Sequence, residues 1–187
     1  MIKAPTFLQD SQALLTKQGF TISDVWYHGT SSTLVDSICA QGLLRSGDKE
    51  FNEAVKKTMT TIGDRHAEII EPVFLTQSKQ LAFYWAEQTV KNRSARFADE
   101  GRAVVFAVTL PKQLNAQVKP DVGAASILLT KEGENYMAYL GGIFEANDLG
   151  FPEIDLMNAN RMEYLNTLGM AYINKDIDAS CLDKVAD

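Results

Sequence analysis

Histidine and cysteine are scarce in this chain: its 187 residues hold two of each. Cys39 and Cys181 lie far apart, which excludes a disulfide framework and any paired metal-ligand spacing. Cys39 falls in an apolar helical pattern and is expected as a small buried hydrophobe. No stretch approaches the roughly 18 apolar residues of a membrane helix. Gln9, Asp10 and Gln12 interrupt the first fifteen residues, so these do not read as a signal peptide. Basic residues are the minority, 18 against 24 acidic, for a net charge of −6. Bulk attraction to a polyanion needs the opposite balance. Internal repeats, low-complexity tracts and Pro/Gly/Ser-rich linkers are also missing. The expectation is a soluble protein of a reducing cytoplasm with no membrane partner.

What is there is ordinary globular material, 45% hydrophobic and 22% charged, long enough for one sizeable core. A single domain spanning 1–187 is expected, with residues 1–20 as a helical extension stopping near Gly19. Val25-Trp26-Tyr27-His28 reads as a short strand, because β-branched and aromatic residues suit a pleated buried surface. Gly29 to Ser32 then turns the chain into a helix from about Thr33 to Gln41, stopped by Gly42. Residues 45–71 are polar, with a short helix around Phe51 to Met59. Val73 to Thr76 predicts a strand, Lys79 to Val90 a helix, and Ala103 to Val108 a strongly apolar strand. Weaker elements follow at Ser126–Thr130, Tyr136–Leu140 and Ile143–Phe144. Met162–Leu165 and Met170–Ile173 read as two short strands around an Asn166–Gly169 turn. Strands interleaved with single helices predict an α+β fold with a mixed sheet.

Chemistry concentrates at His28, at a predicted strand end before Gly29 and Thr30, where scaffolds display functional groups. Gly29 lets a ligand come close to the backbone. The competing interpretation is a hydrogen-bonded structural histidine at a turn. Phe83-Tyr84-Trp85 offers aromatic surface, although three adjacent aromatics cannot share one helix face; Tyr84 fits core and cleft alike.

The ordered set Tyr27-His28-Gly29-Thr30, Gly42-Leu43, Val73-Phe74-Leu75-Thr76 and Ala82–Ala86 resembles the ADP-ribosyltransferase superfamily. The branch it resembles is the diphtheria-toxin-like, poly(ADP-ribose) polymerase-like one. The likeness covers 26–43 and 72–86 well, and 103–110 and 161–177 loosely. It implies a split mixed β-sheet with flanking helices and NAD⁺ as co-substrate, with no metal. His28 would donate to the nicotinamide ribose, Gly29 would present its backbone to the nicotinamide amide, and Thr30 or Ser31 would line the ribose. Tyr84 would stack on the ring, as flat heteroaromatics pack on aromatic faces. Phe74 stands where the family commonly has a tyrosine, so either it substitutes or the stacking role shifts.

The resemblance also requires an acidic residue near the start of a late strand, and Glu163 is the best match. A carboxylate accepts from the ribose 2′-hydroxyl and faces positive charge developing at the anomeric carbon. The bland alternative is a surface glutamate paired with Arg161. The implied activity is mono-ADP-ribosyl transfer to a macromolecule, protein rather than nucleic acid, in the cytoplasm or in a cell to which an effector is delivered. Two rivals stand beside it: an RNA 2′-phosphotransferase of the same fold, and a catalytically inactive NAD-binding or interaction module. Lys131–Asn135 reads as a solvated turn, Gly141-Gly142 as a flexible turn, and His66 lacks companions at metal-ligand spacing.

Overall fold

Two seven-residue strands of β-branched and aromatic residues pair along their whole length and organise the structure, a computed structural model that describes residues 2–61, 70–121, 123, 130–155 and 157–186. His66, and Ser126–Thr130 apart from Thr130, fall outside the described residues. The strands are β1 Leu15–Thr16, β2 Gly19–Phe20, β3 Val25–Ser31, β4 Val73–Leu75, β5 Ala103–Thr109, β6 Lys119–Pro120, β7 Ala171–Ile173 and β8 Leu182–Lys184. The helices are α1 Ser11–Leu14, α2 Val35–Gln41, α3 Lys49–Thr61, α4 Lys79–Phe97, α5 Lys112–Asn115, α6 Lys131–Ala146 and α7 Arg161–Leu168. The fold is α+β.

β3, β5 and β8 form one three-stranded sheet in the order β3-β5-β8, and β4, β7 and β6 a second in the order β4-β7-β6. Every strand pairing among the described residues is antiparallel, where a mixed sheet is expected from sequence. The two sheets meet at one bridge: Tyr27 and Thr76 exchange backbone hydrogen bonds of 2.9 Å in both directions. His28 and Leu75, then Gly29 and Phe74, come next in that register, yet no ladder bond among the described residues joins either pair. The sheets part there, and the gap opens beside His28.

Trp26, Phe106, Val108 and Ile173 anchor one buried cluster. Phe20, Leu81, Tyr84, Tyr136, Leu140, Phe144 and Leu168 form a second, between the β1–β2 hairpin and helices α4, α6 and α7. No helix among the described residues is long and apolar enough to cross a membrane.

Four local expectations change, each for a physical reason. The N-terminal helix is only α1, preceded by a 3₁₀ turn at Thr6–Leu8; residues 15–20 turn into a hairpin that sinks Phe20 into the core. Gly19, at φ 108°, belongs to that hairpin; a Cβ there would stand 2.2 Å from the Asn166 carbonyl oxygen. Tyr136, Leu140, Ile143 and Phe144 fall at helical spacing and share one buried face of α6, so Glu132–Glu134 and Gly141-Gly142 are helical rather than turns. Met162–Leu165 is helical too: the Asn160 side chain accepts from the Met162 and Glu163 N–H groups, and Glu163 Oε2 accepts from the Asn160 N–H at 2.7 Å. That Asn-x-x-Glu spacing is a capping box. Finally, Cys39 is exposed, because α2 turns Ile38, not Cys39, to the core.

Candidate functional site

His28 lies within β3 rather than at its end, since pairing with β5 continues through Ser31 opposite Ala103. Its Nδ1–H donates to the Phe74 carbonyl at 2.9 Å. A carbonyl only accepts, so the proton sits on Nδ1 and Nε2 is left as an acceptor. Desolvation by burial pushes the imidazole below its ordinary pKa, partly offset by the Phe74 bond. His28 is therefore a neutral, oriented acceptor near pH 7. The donor role that the resemblance implies requires a second proton that this setting disfavours.

The gap beside it is a cavity of roughly 270 Å³. His28, Gly29, Thr30 and Phe74 line it together, so four of the residues singled out from sequence converge. Phe74 is 46% exposed, which is unusual for a phenylalanine on a short strand and leaves ring surface for a ligand. Gly29 has a second duty. A Cβ on it would fall 1.9 Å from the Ala82 carbonyl oxygen and 2.7 Å from the Ala86 nitrogen, so only glycine lets β3 lie directly on α4.

The other three residues do not reach the cavity. Ser31 is fully buried, and its Oγ accepts from the Thr33 N–H and contacts the Thr33 hydroxyl at 3.0 Å. Tyr84 is 5% exposed and packs against Trp85, Tyr136 and Tyr139. On α4, Ala82 and Ala86 meet β3, and Thr89, Asn92 and Arg93 line the cavity. These recur at helical spacing, while Tyr84 lies about 140° around the helix from Thr89. Glu163 is exposed, serves the cap of α7, and lines a different hollow with Lys17, Asp155 and Asn166. It sits on a helix because Asn160 starts one there.

Sequence reasoning missed Asp48, Asn52, Glu71 and Arg93 on the cavity wall. The signal for Arg93 was present in the Ala82-Ala86-Thr89-Arg93 stripe. Its side chain is only 6% exposed. Nη1 bonds Asp48 at 2.6 Å, Nη2 bonds Glu50 at 3.1 Å and Nε bonds Asp99 at 2.9 Å. Burial opposes the guanidinium charge, but these three carboxylates hold it protonated above its ordinary value. Asp99 in turn is held below the usual carboxylate range by the Gly101 N–H first and by Arg93. Among the described residues, no group of three or more His, Cys, Asp or Glu is placed to hold a metal ion.

No protein-family model, curated protein or solved structure matches the chain, so the site stands on its own geometry.

Proposed function

We propose that the cavity beside His28 binds the nicotinamide-ribose half of NAD⁺ and serves transfer of one ADP-ribose unit to a macromolecular acceptor, with release of nicotinamide. The observation that carries this reading is the oriented His28 acceptor, sharing one cavity with Gly29, Thr30 and the exposed ring of Phe74 at the parting of two sheets. A ribose hydroxyl both donates and accepts, so it meets the bare Nε2 of a neutral histidine as a donor. Phe74 supplies the flat apolar face for the nicotinamide ring. A volume of roughly 270 Å³ lies just under the ~300 Å³ at which drug-sized pockets begin. It suits half of the dinucleotide, with the remainder crossing the open mouth.

The carboxylate role moves from Glu163 to Glu71 under this proposal. Of the two carboxylates lining the cavity, Asp48 is engaged by Arg93, whereas the Glu71 side chain is exposed and its backbone is anchored to Ser46. Glu71 would stabilise positive charge at C1′ as the glycosidic bond breaks and its electron pair leaves with neutral nicotinamide. The acceptor's lone pair then forms the new bond to C1′, and its proton passes to Glu71.

Binding without turnover is the second reading, favoured by the distance of both Tyr84 and Glu163 from the cavity. The RNA phosphotransferase reading loses ground, because Arg93, the arginine on the wall, is already occupied by three carboxylates. Incubating the protein with labelled NAD⁺ and a cell extract separates these readings. Nicotinamide release and label transfer that vanish in His28→Ala and Glu71→Gln support the transferase. NAD⁺ binding without release supports the module. Neither binding nor release overturns the NAD⁺ site.

A further inference from the structure

We infer that Arg93 is a positioning residue for the His28 cavity: it holds residues 46–52 in place as the cavity's outer wall. Ser46, Gly47, Asp48, Phe51 and Asn52 line the cavity on one side, and Thr89, Asn92 and Arg93 on another. This wall opens the segment between Ser46 and Glu71, the excursion in sequence that precedes β4. Those two residues are pinned to each other: the Ser46 N–H donates to the Glu71 carbonyl at 3.0 Å, and the Glu71 N–H donates to Ser46 Oγ at 2.7 Å. Asn52 Nδ2 donates to the Ser46 carbonyl at 3.2 Å and folds the start of α3 back on this clasp.

The clasp fixes the base of the excursion, and Arg93 fixes its distance from α4. Two of the three carboxylates on Arg93, Asp48 and Glu50, belong to the wall. The third, Asp99, follows α4 and accepts from the Thr33 hydroxyl, which contacts Ser31 on the His28 strand. One guanidinium thus ties the wall to the strand that carries His28. The partners also differ in how firmly they are set. Asp48 also accepts from the Phe51 N–H at 3.0 Å and Asp99 from the Gly101 N–H at 3.0 Å, whereas the Glu50 side chain is 67% exposed. A weaker second tie runs beside them, with Phe51 edge-on to Phe97 and beneath Arg96.

Three carboxylates approached from three directions require a planar fork of donors, which lysine lacks. Arg93→Lys therefore keeps the charge but loses the geometry. This inference rests on the proposed NAD⁺ site only for its functional consequence, and its structural content is read separately. Amide hydrogen exchange of the full chain gives that reading at Ser46, Phe51 and Asn52, with the β3–β5 ladder as internal control. Arg93→Lys is expected to speed exchange in 46–52 by about tenfold while the ladder amides keep their protection. Should Arg93→Lys fail to fold, Glu50→Gln decides instead, with a smaller rise confined to the same amides. Unchanged exchange in 46–52, or an equal rise in the ladder, overturns the inference. With NAD⁺ as probe, the same variant is expected to raise KM by about tenfold with kcat little changed; a loss confined to kcat also overturns it. Wild-type protein that binds no NAD⁺ refutes the cavity's proposed ligand and leaves the exchange result to decide the role of Arg93.

Discussion

His28 and Phe74 belong to different sheets, and a single side-chain-to-backbone hydrogen bond of 2.9 Å spans the gap between their strands. That bond sets the ring's tautomer, and burial sets its charge. Together they give the site a pH dependence whose direction can be worked out.

The folded-state pKa of His28 is depressed from 6.5, chiefly by desolvation. Below 6.5 the unfolded chain takes up a proton that the folded chain resists, so stability falls as pH drops from 6.5 towards the folded value. The contribution is complete above 6.5. Thermal unfolding of wild type and His28→Gln between pH 8 and 5 is expected to show a steeper acid-side loss for wild type. Parallel curves would contradict a desolvated, neutral His28.

Gly29→Ala is expected to be severely destabilising. Its new methyl would meet the Ala82 carbonyl, which is backbone and cannot swing aside. Overpacking of this kind costs about 1–3 kcal/mol and occasionally more. Denaturant unfolding measures the loss, and a change under 0.5 kcal/mol would show that β3 does not rest on α4 as described.

Asp10 caps α4 from a distant segment: its carboxylate accepts from Ser78 Oγ and the Lys79 N–H, both at 2.7 Å, and from the Gln80 N–H. Asp10→Ala should cost about 1–2 kcal/mol. In a protein of this size that is roughly 2–4 °C in Tm for each kcal/mol. Ligand binding at the His28 cavity should stay at the wild-type level, which calorimetry with NAD⁺ can check.

Glu163→Gln and Glu71→Gln are expected to diverge. The first keeps an acceptor for the Asn160 N–H and loses only a negative charge in the first turn of α7, costing about 0.3–1 kcal/mol of stability, and leaves nicotinamide release intact. The second leaves stability nearly unchanged and lowers release by about 10²–10³-fold. Release assays on both variants, paired with melting curves, decide whether the carboxylate role has moved.

Much of the frame was legible from local chemistry. The β-branched run at 103–108, the strand through His28, and the Gly42 stop at φ 81° follow from propensity and backbone freedom. The segment around Glu163 misled because Met162-Glu163-Tyr164-Leu165 has strand-like alternation, while the deciding residue, Asn160, lies just outside it. Tyr84 misled differently. Its helix was legible, but its face was not, because the small residues Ala82 and Ala86 mark the side that meets β3. Asp48, Glu71 and Arg93 are far apart in sequence, and only the path of the excursion brings them to one wall.

The clasp between Ser46 and Glu71 has a consequence for how this protein can vary. It closes a separation of 25 residues with two backbone-anchored hydrogen bonds, while Asp48 and Glu50 just inside it are held separately by Arg93. Doubling such a length costs only about 0.6 kcal/mol in closure entropy. Length and chemistry can therefore vary between Asn52 and Glu71 so long as Ser46, Asp48, Glu50 and Glu71 keep these bonds, with His28 and Phe74 held in their places. Selectivity at the mouth of the proposed NAD⁺ cavity is expected to follow the residues of that stretch.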